Sequence, residues 1–169
     1  SDKHINEVAK EFFKEFPTME HLAAASVEEI QRLISSVRNF GNKSAWLSAL
    51  AKAVGTDSKI PHTLDELTKL PGVGRKSANV IIRESGDNAE GIIVDLHVLR
   101  VAPRLGVAEG TKPEKIEKQL MAAFPQEKWN EVGMAISFLG REVCCPTNPK
   151  CPACVMNSVC DDYKSRKNQ

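Results

Sequence analysis

Residues 70–78 read LPGVGRKSA, and this stretch decides the fold more than any other part of the chain. It begins at the end of one apolar run, and the glycines at positions 72 and 74 then interrupt helical periodicity. The residues that follow, as far as Arg83, again have the spacing of an amphipathic helix. The pattern predicts two helices joined by a glycine hairpin.

A glycine hairpin at the start of a helix is suited to binding an anion. Gly72 and Gly74 allow backbone conformations that a side chain forbids, so the amides of the turn can point outward together. Unpaired amides and the helix dipole both favour negative charge, and a nucleic-acid phosphate fits that requirement. Such a hairpin is also often a turn and nothing more. The candidate DNA contacts are Gly72, Val73, Gly74 and Arg75.

Lys76 is the candidate nucleophile, because it falls in the first turn of the helix after the hairpin. A cation is unfavourable there, which pushes the amine toward its neutral, reactive form. The helix dipole supplies only part of the stabilisation required, so burial in a pocket must supply most of it. We therefore expect Lys76 to lie in or beside a cleft. The structural alternative is a solvated surface lysine, which is the more common role.

Asp95 follows an apolar run at residues 92–94 and precedes a helical pattern that ends near Gly106. An aspartate at that position caps a helix in any protein, and capping alone would explain it. If the hairpin and this helix pack together, the same carboxylate can face Lys76 and stabilise positive charge on a sugar ring. His97 is more often structural at such a position, and we assign it no role.

The rest of the chain also has helical periodicity. Pro17 ends a first amphipathic helix, and Ser26 with Glu29 forms a capping box for a second that continues to Val37. No stretch alternates apolar and polar residues for long enough to demand a sheet, so we expect an all-α fold. Further helices are expected at residues 43–54, which Gly55 ends, from Thr111 and Pro113 onward, and from Trp129 to Gly140, with Pro103 able to shorten the helix after Asp95.

All five cysteines lie in one short segment near the C-terminus. In a chain that we expect to be intracellular, an odd number of clustered cysteines favours a metal site over a disulfide framework. Four thiolates in a proline-containing loop suit a [4Fe–4S] cluster or a structural zinc ion, and the single short spacing slightly favours iron–sulfur. The spare Cys145 is expected to be a small packed thiol. The candidate ligands are Cys144, Cys151, Cys154 and Cys160.

Composition and charge restrict the classes of protein to consider. The chain has 169 residues, of which 41% are apolar, which is enough for one compact domain or two small ones. Its net charge of +1 gives no support to bulk electrostatic binding of nucleic acid, so any DNA contact must be local. No apolar run has the length of a membrane helix or the placement of a signal peptide, so we expect an intracellular protein.

Taken together, these motifs resemble the endonuclease III family of helix-hairpin-helix DNA glycosylases. The segment LPGVGRKSANV resembles the family's hairpin, with the catalytic lysine at Lys76, and VDLHVLRV resembles the segment with the catalytic aspartate at Asp95. The cysteine spacing matches that of the family's four cluster ligands. The resemblance implies a helical barrel lobe over residues 1–94 and a second helical lobe over residues 95–169, with a [4Fe–4S] loop at 144–160.

The resemblance also implies an activity. The family removes oxidised pyrimidines from double-stranded DNA and cleaves the resulting abasic site by β-elimination through a lysine Schiff base. It implies a monomeric enzyme and a DNA partner carrying a damaged base or abasic site. Arg141 and Lys150 are further candidate phosphate contacts, although a solvated surface charge is the more common role for each. Relatives that only remove adenine lack an amine at position 76. Two alternatives remain, a non-catalytic helix-hairpin-helix DNA-binding protein and an iron–sulfur redox protein.

The sequence departs from the family in three places. The family normally begins with further helices and a polar wedge residue, and Ser1-Asp2 aligns just after that residue. We therefore expect an exposed apolar patch where those helices would pack. Arg38 stands where glycine is common before the third helix. Leu96 stands where the family often has threonine, and a change at the pocket edge leaves the preferred damaged base open.

Overall fold

The structure is a computed structural model that describes residues 2–167. Over this range the chain forms α-helices, short 3₁₀ turns and loops, with no β-strand. The all-α prediction is therefore confirmed. The chain divides into two compact units, which we call unit 1, ending at Gly74, and unit 2, beginning at Arg75. The predicted lobe boundary at residues 94 and 95 stays a prediction.

Unit 1 is built around contacts of α3 with α1 and α4, and of α2 with α4. Its core is formed by apolar side chains that recur on one face of each helix, as the sequence periodicity indicated. Phe12 and Phe16 pack edge to face with ring centroids 5.2 Å apart. The helices of unit 1 are α1 (Asp2–Glu15), α2 (Met19–Ala24), α3 (Val27–Ile34), α4 (Phe40–Val54) and α5 (Leu64–Leu67).

The capping predictions for unit 1 are confirmed, but the bounds differ. The Ser26 hydroxyl accepts from the Glu29 amide at 3.2 Å, and the Glu29 carboxylate accepts from the Ser26 amide at 2.8 Å. The helix that they cap ends at Ile34, so the expectation that it continues to Val37 is wrong. Helix α2 was not predicted, because six residues are too few to show helical periodicity.

An apolar groove is exposed in unit 1 between α1 and α4. The exposed fractions of Ile5, Phe13 and Trp46, which line it, are 43%, 65% and 45%. An exposed apolar patch is therefore present among the described residues, and its role as the place where further helices would pack stays a prediction. The wedge alignment at Ser1 lies outside the described range. In the described part of the chain, no helix combines the length and the apolar character needed to cross a membrane.

Unit 2 is organised around α7, which contacts three of the other helices, α8, α9 and α10. Its fully buried side chains include Val98 and Val101 of α7 together with Ile116 and Leu120 of α8. The helices of unit 2 are α6 (Arg75–Ser85), α7 (Leu96–Leu105), α8 (Pro113–Ala123), α9 (Trp129–Glu142) and α10 (Asp161–Lys167).

The ends of the unit 2 helices confirm most of the predicted signals. Gly106 ends α7 in the left-handed region with φ +84°, and Pro103 lies inside that helix without shortening it. Pro113 opens α8 as predicted, but its N-cap is Lys112 and not Thr111. The prediction that Gly140 ends α9 is wrong, because the helix continues to Glu142. A Cβ at position 140 would lie 2.8 Å from His97 Cβ, so this glycine allows α9 to approach α7 closely.

Candidate active site and cysteine pocket

Lys76 and Asp95 line the same pocket of unit 2. Lys76 is the second residue of α6, and Asp95 is the N-cap of α7. The expectation that Lys76 lies in or beside a cleft is therefore confirmed. The expectation that its side chain is buried is wrong, because the first turn of α6 faces solvent and Lys76 is exposed. Leu96, His97 and Arg141 also line this pocket.

Asp95 is fixed by hydrogen bonds at both carboxylate oxygens. Its Oδ1 accepts from the backbone amides of His97 and Val98, each at 2.9 Å, and its Oδ2 accepts from the Ser137 hydroxyl at 2.6 Å. Burial raises the pKa of Asp95, but the hydrogen bonds from Ser137 and from the two amides lower it, so that the pKa lies below its usual value. Asp95 is thus a helix cap and an ionised group at the pocket at once.

Ser137 is a residue of the site that the sequence did not predict. It lies on α9 with only 2% of its surface exposed, and its hydroxyl reaches the Asp95 carboxylate from 42 residues away. The sequence did contain one indication: Ser137 is a small polar residue beside the buried Ile136, at a helix position that an apolar side chain could also fill. That signal indicates a buried hydrogen bond, but it cannot name the partner.

Arg100 is a second residue that the sequence did not single out. One guanidinium nitrogen donates to the carbonyls of Gly140 at 2.9 Å and Cys144 at 3.2 Å, and lies 3.3 Å from His97 Nδ1. Because α9 ends between those two carbonyls, Arg100 ties α7 to the point where the cysteine-containing segment begins. The pocket of Asp95 and that segment therefore share one helix, α7, as support.

The predicted conformational need for glycine in the hairpin is confirmed at Gly72 but not at Gly74. Gly72 has φ +77°, and a Cβ there would lie 2.8 Å from Trp46 Cβ, so both conformation and space require glycine. Gly74 has no positive φ, and a side chain there would meet no atom within 4 Å, so the conformational reason given for it is wrong. The Val73 amide donates to the Leu70 carbonyl at 3.1 Å, so the turn uses it internally.

The four candidate ligands line one pocket of unit 2, whose other walls include Leu105, Leu139 and Tyr163. Within residues 2–167, no group of three or more His, Cys, Asp or Glu side chains is arranged to hold a metal ion as it stands. The pKa of the Cys151 thiol lies above its usual value, chiefly because of burial; Arg166 lowers it, and Cys144, Asp162 and Cys160 raise it. The thiols are thus near enough to influence one another's charge. Cys144, Cys151, Cys154 and Cys160 all face this pocket.

Arg104 of α7 fixes the beginning of the cysteine segment. Its guanidinium donates to Cys144 Sγ at 3.4 Å, to the Cys145 carbonyl at 2.9 Å and to the Pro146 carbonyl at 3.3 Å. Its own carbonyl accepts from Cys160 Sγ at 3.3 Å. This arrangement of donors fits a thiolate-ligated metal centre.

The remaining candidate residues are Cys145, Lys150 and Arg141. Cys145 is partly buried and does not line the cysteine pocket, which agrees with its expected role as a packed thiol. Lys150 is exposed at the start of the short 3₁₀ turn Cys151–Ala153. Arg141 is exposed and lines the pocket of Lys76 and Asp95. Their predicted DNA contacts stay predictions.

Comparison with known proteins decides the family. The family model for the HhH-GPD superfamily of base excision DNA repair proteins matches residues 1–126. Endonuclease III of Synechocystis sp. is 34% identical over 162 residues, which are 95% of this chain and 74% of that protein. Endonuclease III of Bacillus subtilis is 35% identical over 169 residues, which are 98% of this chain and 77% of that protein. The chain belongs to the endonuclease III family.

Solved structures agree with this assignment to the endonuclease III family. A trapped endonuclease III–DNA covalent intermediate, in an estranged-adenine complex, superposes with a TM-score of 0.88 at 34% identity and covers 99% of this chain and 79% of that chain. A thermostable thymine-DNA glycosylase has the same fold at 22% identity, with a TM-score of 0.77. The predicted family, its helical fold and the enzyme class of DNA glycosylase and abasic-site lyase in base excision repair are confirmed.

Proposed function

We propose that this glycosylase removes oxidised pyrimidines from double-stranded DNA and cleaves the abasic site, with Lys76 as nucleophile and Asp95 as the charge stabiliser. The observation that supports it most is that one pocket of unit 2 is lined by both an amine and an ionised carboxylate. The covalent DNA intermediate trapped with a related endonuclease III supports a covalent step. The chemistry requires both groups, because a nucleophile alone leaves the developing sugar cation without a counter-charge.

The reaction begins with a nucleotide turned out of the duplex, because its sugar carbon is inaccessible inside the base stack. The neutral Lys76 amine forms a bond to C1′ as the glycosidic bond breaks, and the base leaves with a proton. The amine gives up the proton that the base carries away, the bond from C1′ to the ring oxygen opens as that oxygen takes a proton from solvent, and a protonated Schiff base results. Removal of a C2′ proton then breaks the bond to the 3′ phosphate, and water releases Lys76.

Asp95 supports this sequence by charge and by position. Its pKa lies below the usual value, so at neutral pH the carboxylate is ionised and opposes positive charge that develops on the sugar. The two amides and the Ser137 hydroxyl hold both oxygens in place before substrate binds. Such a preorganised group needs no rearrangement when the charge appears. Asp95 would also accept a proton in this sequence, because its carboxylate lines the same pocket as Lys76.

DNA binding is proposed to be local. The net charge of +1 leaves no general excess of positive charge, so contacts must come from a few groups. The hairpin residues Gly72 and Gly74 would approach the phosphates, and Arg141 at the active-site pocket would contact them near the flipped nucleotide. Lys150, exposed near the cysteine pocket, would add a further contact. The affinity should fall with salt in proportion to these few phosphate contacts.

We also propose that the cysteine pocket holds a [4Fe–4S] cluster. Its ligands would be the four cysteines that line it, and Arg104 supports the choice because its cation lies beside Cys144 Sγ. When bound, such a cluster joins four thiolates of a loop with little helix of its own, and it can exchange single electrons. The chain's own contribution is to present the thiols and to hold the loop against α7 through Arg104.

Borohydride trapping tests the proposed chemistry. The protein is incubated with a duplex that contains one abasic site, in the presence of sodium borohydride, which reduces a Schiff base to a stable amine link. The wild-type protein should form a covalent adduct, Lys76→Ala should form none, and Lys52→Ala, an exposed lysine of α4, should behave as the wild type. Equal trapping by Lys76→Ala would reject the lysine mechanism.

A pair of damaged duplexes tests the substrate class. One carries thymine glycol, an oxidised pyrimidine, and the other carries 8-oxoguanine, an oxidised purine. We expect strand cleavage in the first and little or none in the second. Binding of both duplexes without cleavage or trapping would instead indicate a DNA-binding protein without chemistry.

A further inference from the structure

We propose that Glu117 is a positioning residue for Lys76, since it fixes the first turns of α6 through Arg75 and Asn79. This inference rests on the proposed role of Lys76 as the nucleophile. Glu117 belongs to α8 and is not part of the active-site pocket lining. It acts through its neighbours and makes no contact with the reacting atoms.

The Glu117 carboxylate is almost completely buried, with 4% of the residue exposed. Its Oε2 accepts from Arg75 Nε at 2.5 Å, and its Oε1 accepts from Asn79 Nδ2 at 2.9 Å. A buried carboxylate without partners would be very unfavourable, so these two contacts are what makes its burial possible. Both donors come from the same helix, α6.

The positions of the two donors explain why the contact controls Lys76. Arg75 and Asn79 are four residues apart, so they lie one above the other on the same face of α6. Lys76 is the residue directly after Arg75. A carboxylate that holds both donors therefore fixes the rotation of the first turn about the helix axis, and with it the direction of the Lys76 side chain. The first turn would otherwise be free to fray, because a helix terminus has unpaired backbone groups.

Gly91 provides independent evidence that the chain makes room for this carboxylate. Gly91 is buried and has no positive φ, so the backbone conformation does not require glycine there. A Cβ at that position would lie 2.2 Å from Glu117 Oε1 and 2.9 Å from Asn79 Nδ2. Any side chain at position 91 would displace the acid from α6. The loop before α7 is thus shaped around the same contact.

The contact with Glu117 also restrains the guanidinium of Arg75. Its Nε is bonded to Glu117, while 45% of the side chain remains exposed. Loss of the carboxylate would release the guanidinium, which could then contact DNA phosphate more freely. The proposal therefore predicts a split result: slower chemistry at Lys76 with DNA binding unchanged or tighter. A purely structural role would lower both together.

The test compares Glu117→Met with Glu117→Gln. Methionine has a similar shape but accepts no hydrogen bond, so α6 loses its anchor. Glutamine can accept from Arg75 through its oxygen and donate to the buried Asn79 Oδ1, which has no partner among the described groups, so the anchor is kept. Glu114→Met, an exposed glutamate in the first turn of the same helix, is the matched control.

Two quantities are measured for each variant: the single-turnover rate of borohydride-trapped adduct at saturating protein, and the Kd for a duplex with a tetrahydrofuran abasic analogue. We expect Glu117→Met to trap about tenfold to 100-fold more slowly, as displacement of a catalytic group by about 1 Å does. Its Kd for this duplex should stay within about threefold of wild type, because the DNA contacts are retained, or should fall, because Arg75 is released. Glu117→Gln should recover most of the rate, and Glu114→Met all of it.

The outcomes separate this proposal from the proposed function. If the wild type gives no adduct at Lys76, the function fails whatever Glu117 does. If the wild type traps and Glu117→Met traps equally fast, or if Glu117→Gln is as slow as Glu117→Met, the positioning role fails alone. Parallel loss of rate, DNA affinity and thermal stability also overturns it. Should Glu117→Met not fold, Arg75→Met removes the same contact at its exposed end, and an unchanged saturating rate would overturn the proposal.

Discussion

Two pockets of unit 2 are organised in different ways, although both depend on α7. In the pocket of Lys76 and Asp95, helices fix the active groups, and Asp95 receives three hydrogen bonds from the chain itself. In the cysteine pocket the four candidate ligands lie in a loop with a single 3₁₀ turn, and Arg104 is the main side chain that holds the beginning of that loop. The difference indicates that the first pocket is preorganised by the fold, whereas the second depends on the group that its thiols would bind.

The largest effect should come from replacement of Asp95 by Asn. Asparagine caps a helix as well as aspartate does, so the start of α7 should be retained while the charge is lost. We expect base removal to slow by about 100-fold to 1,000-fold, as in other sites that lose one electrostatic stabiliser. Single-turnover cleavage of a thymine-glycol duplex measures this rate, and thermal melting checks the fold. A wild-type rate would show that the carboxylate is only a cap.

The next largest effect should come from the cysteine pocket, when one of the four proposed cluster ligands is replaced. Cys154→Ser should lose most of its iron and part of the helical content of unit 2, because the loop has few contacts of its own. The matched control is Cys145→Ser, whose thiol does not line the pocket. Iron per chain and visible absorbance are the measurements. Equal iron loss in both variants, or stoichiometric zinc in the wild type, would contradict the proposed cluster.

Ser137→Ala should have an intermediate effect on the preorganised pocket. The variant removes one hydrogen bond to a charged group, worth about 1.5–3 kcal/mol, so we expect cleavage to slow by about 10-fold to 150-fold. Ser48→Ala is the matched control, because the Ser48 hydroxyl is buried but has no partner among the described groups. Comparable loss of activity in both variants would assign the effect to packing.

Ser137→Ala should also change how the cleavage rate depends on pH. In the wild type the pKa of Asp95 is lowered, so its contribution to stability is present above the unfolded-state pKa and is lost as pH falls through the folded-state pKa. Without the Ser137 hydroxyl the pKa of Asp95 rises, and the acidic limb of the pH–rate profile should move to higher pH. An unmoved limb would show that Ser137 does not control this carboxylate.

The smallest effect should come from Arg104→Gln. The amide can still reach one loop carbonyl but cannot supply a cation beside Cys144 Sγ. We expect bound iron to be released to a chelator about two to five times faster, with little change in the initial iron content, because the lost interaction is worth about 0.5–1 kcal/mol. Arg38→Gln, an exposed residue of unit 1, is the control. Release at the wild-type rate would remove Arg104 from the support of the loop.

The features that could be predicted are those encoded within a few residues of sequence. The capping box at Ser26, the left-handed end of α7 at Gly106 and the cap at Asp95 each depend on local hydrogen bonds or backbone conformation. The nucleophile and the cysteine array were predicted for the same reason, since position within a helix and ligand spacing are local properties. Their proposed roles await the experiments above.

The features that could not be predicted depend on partners far along the chain. Ser137 and Asp95 are 42 residues apart, as are Arg75 and Glu117, and Arg104 and Cys144 are 40 residues apart. Helix packing brings these pairs together, and no periodic pattern specifies which polar side chains will meet. Gly140 illustrates the same limit, because it was interpreted as a helix end but instead allows α9 to approach α7.

Mass spectrometry of the borohydride-trapped adduct tests the proposed mechanism most directly. The trapped protein is digested after nuclease treatment, and the peptide that carries the residual sugar is sequenced. We expect the modification on the ε-amine of Lys76 alone. A sugar attached to another lysine or to an N-terminal amine, with Lys76 unmodified, would contradict the assignment of the nucleophile and the role proposed for the pocket it shares with Asp95.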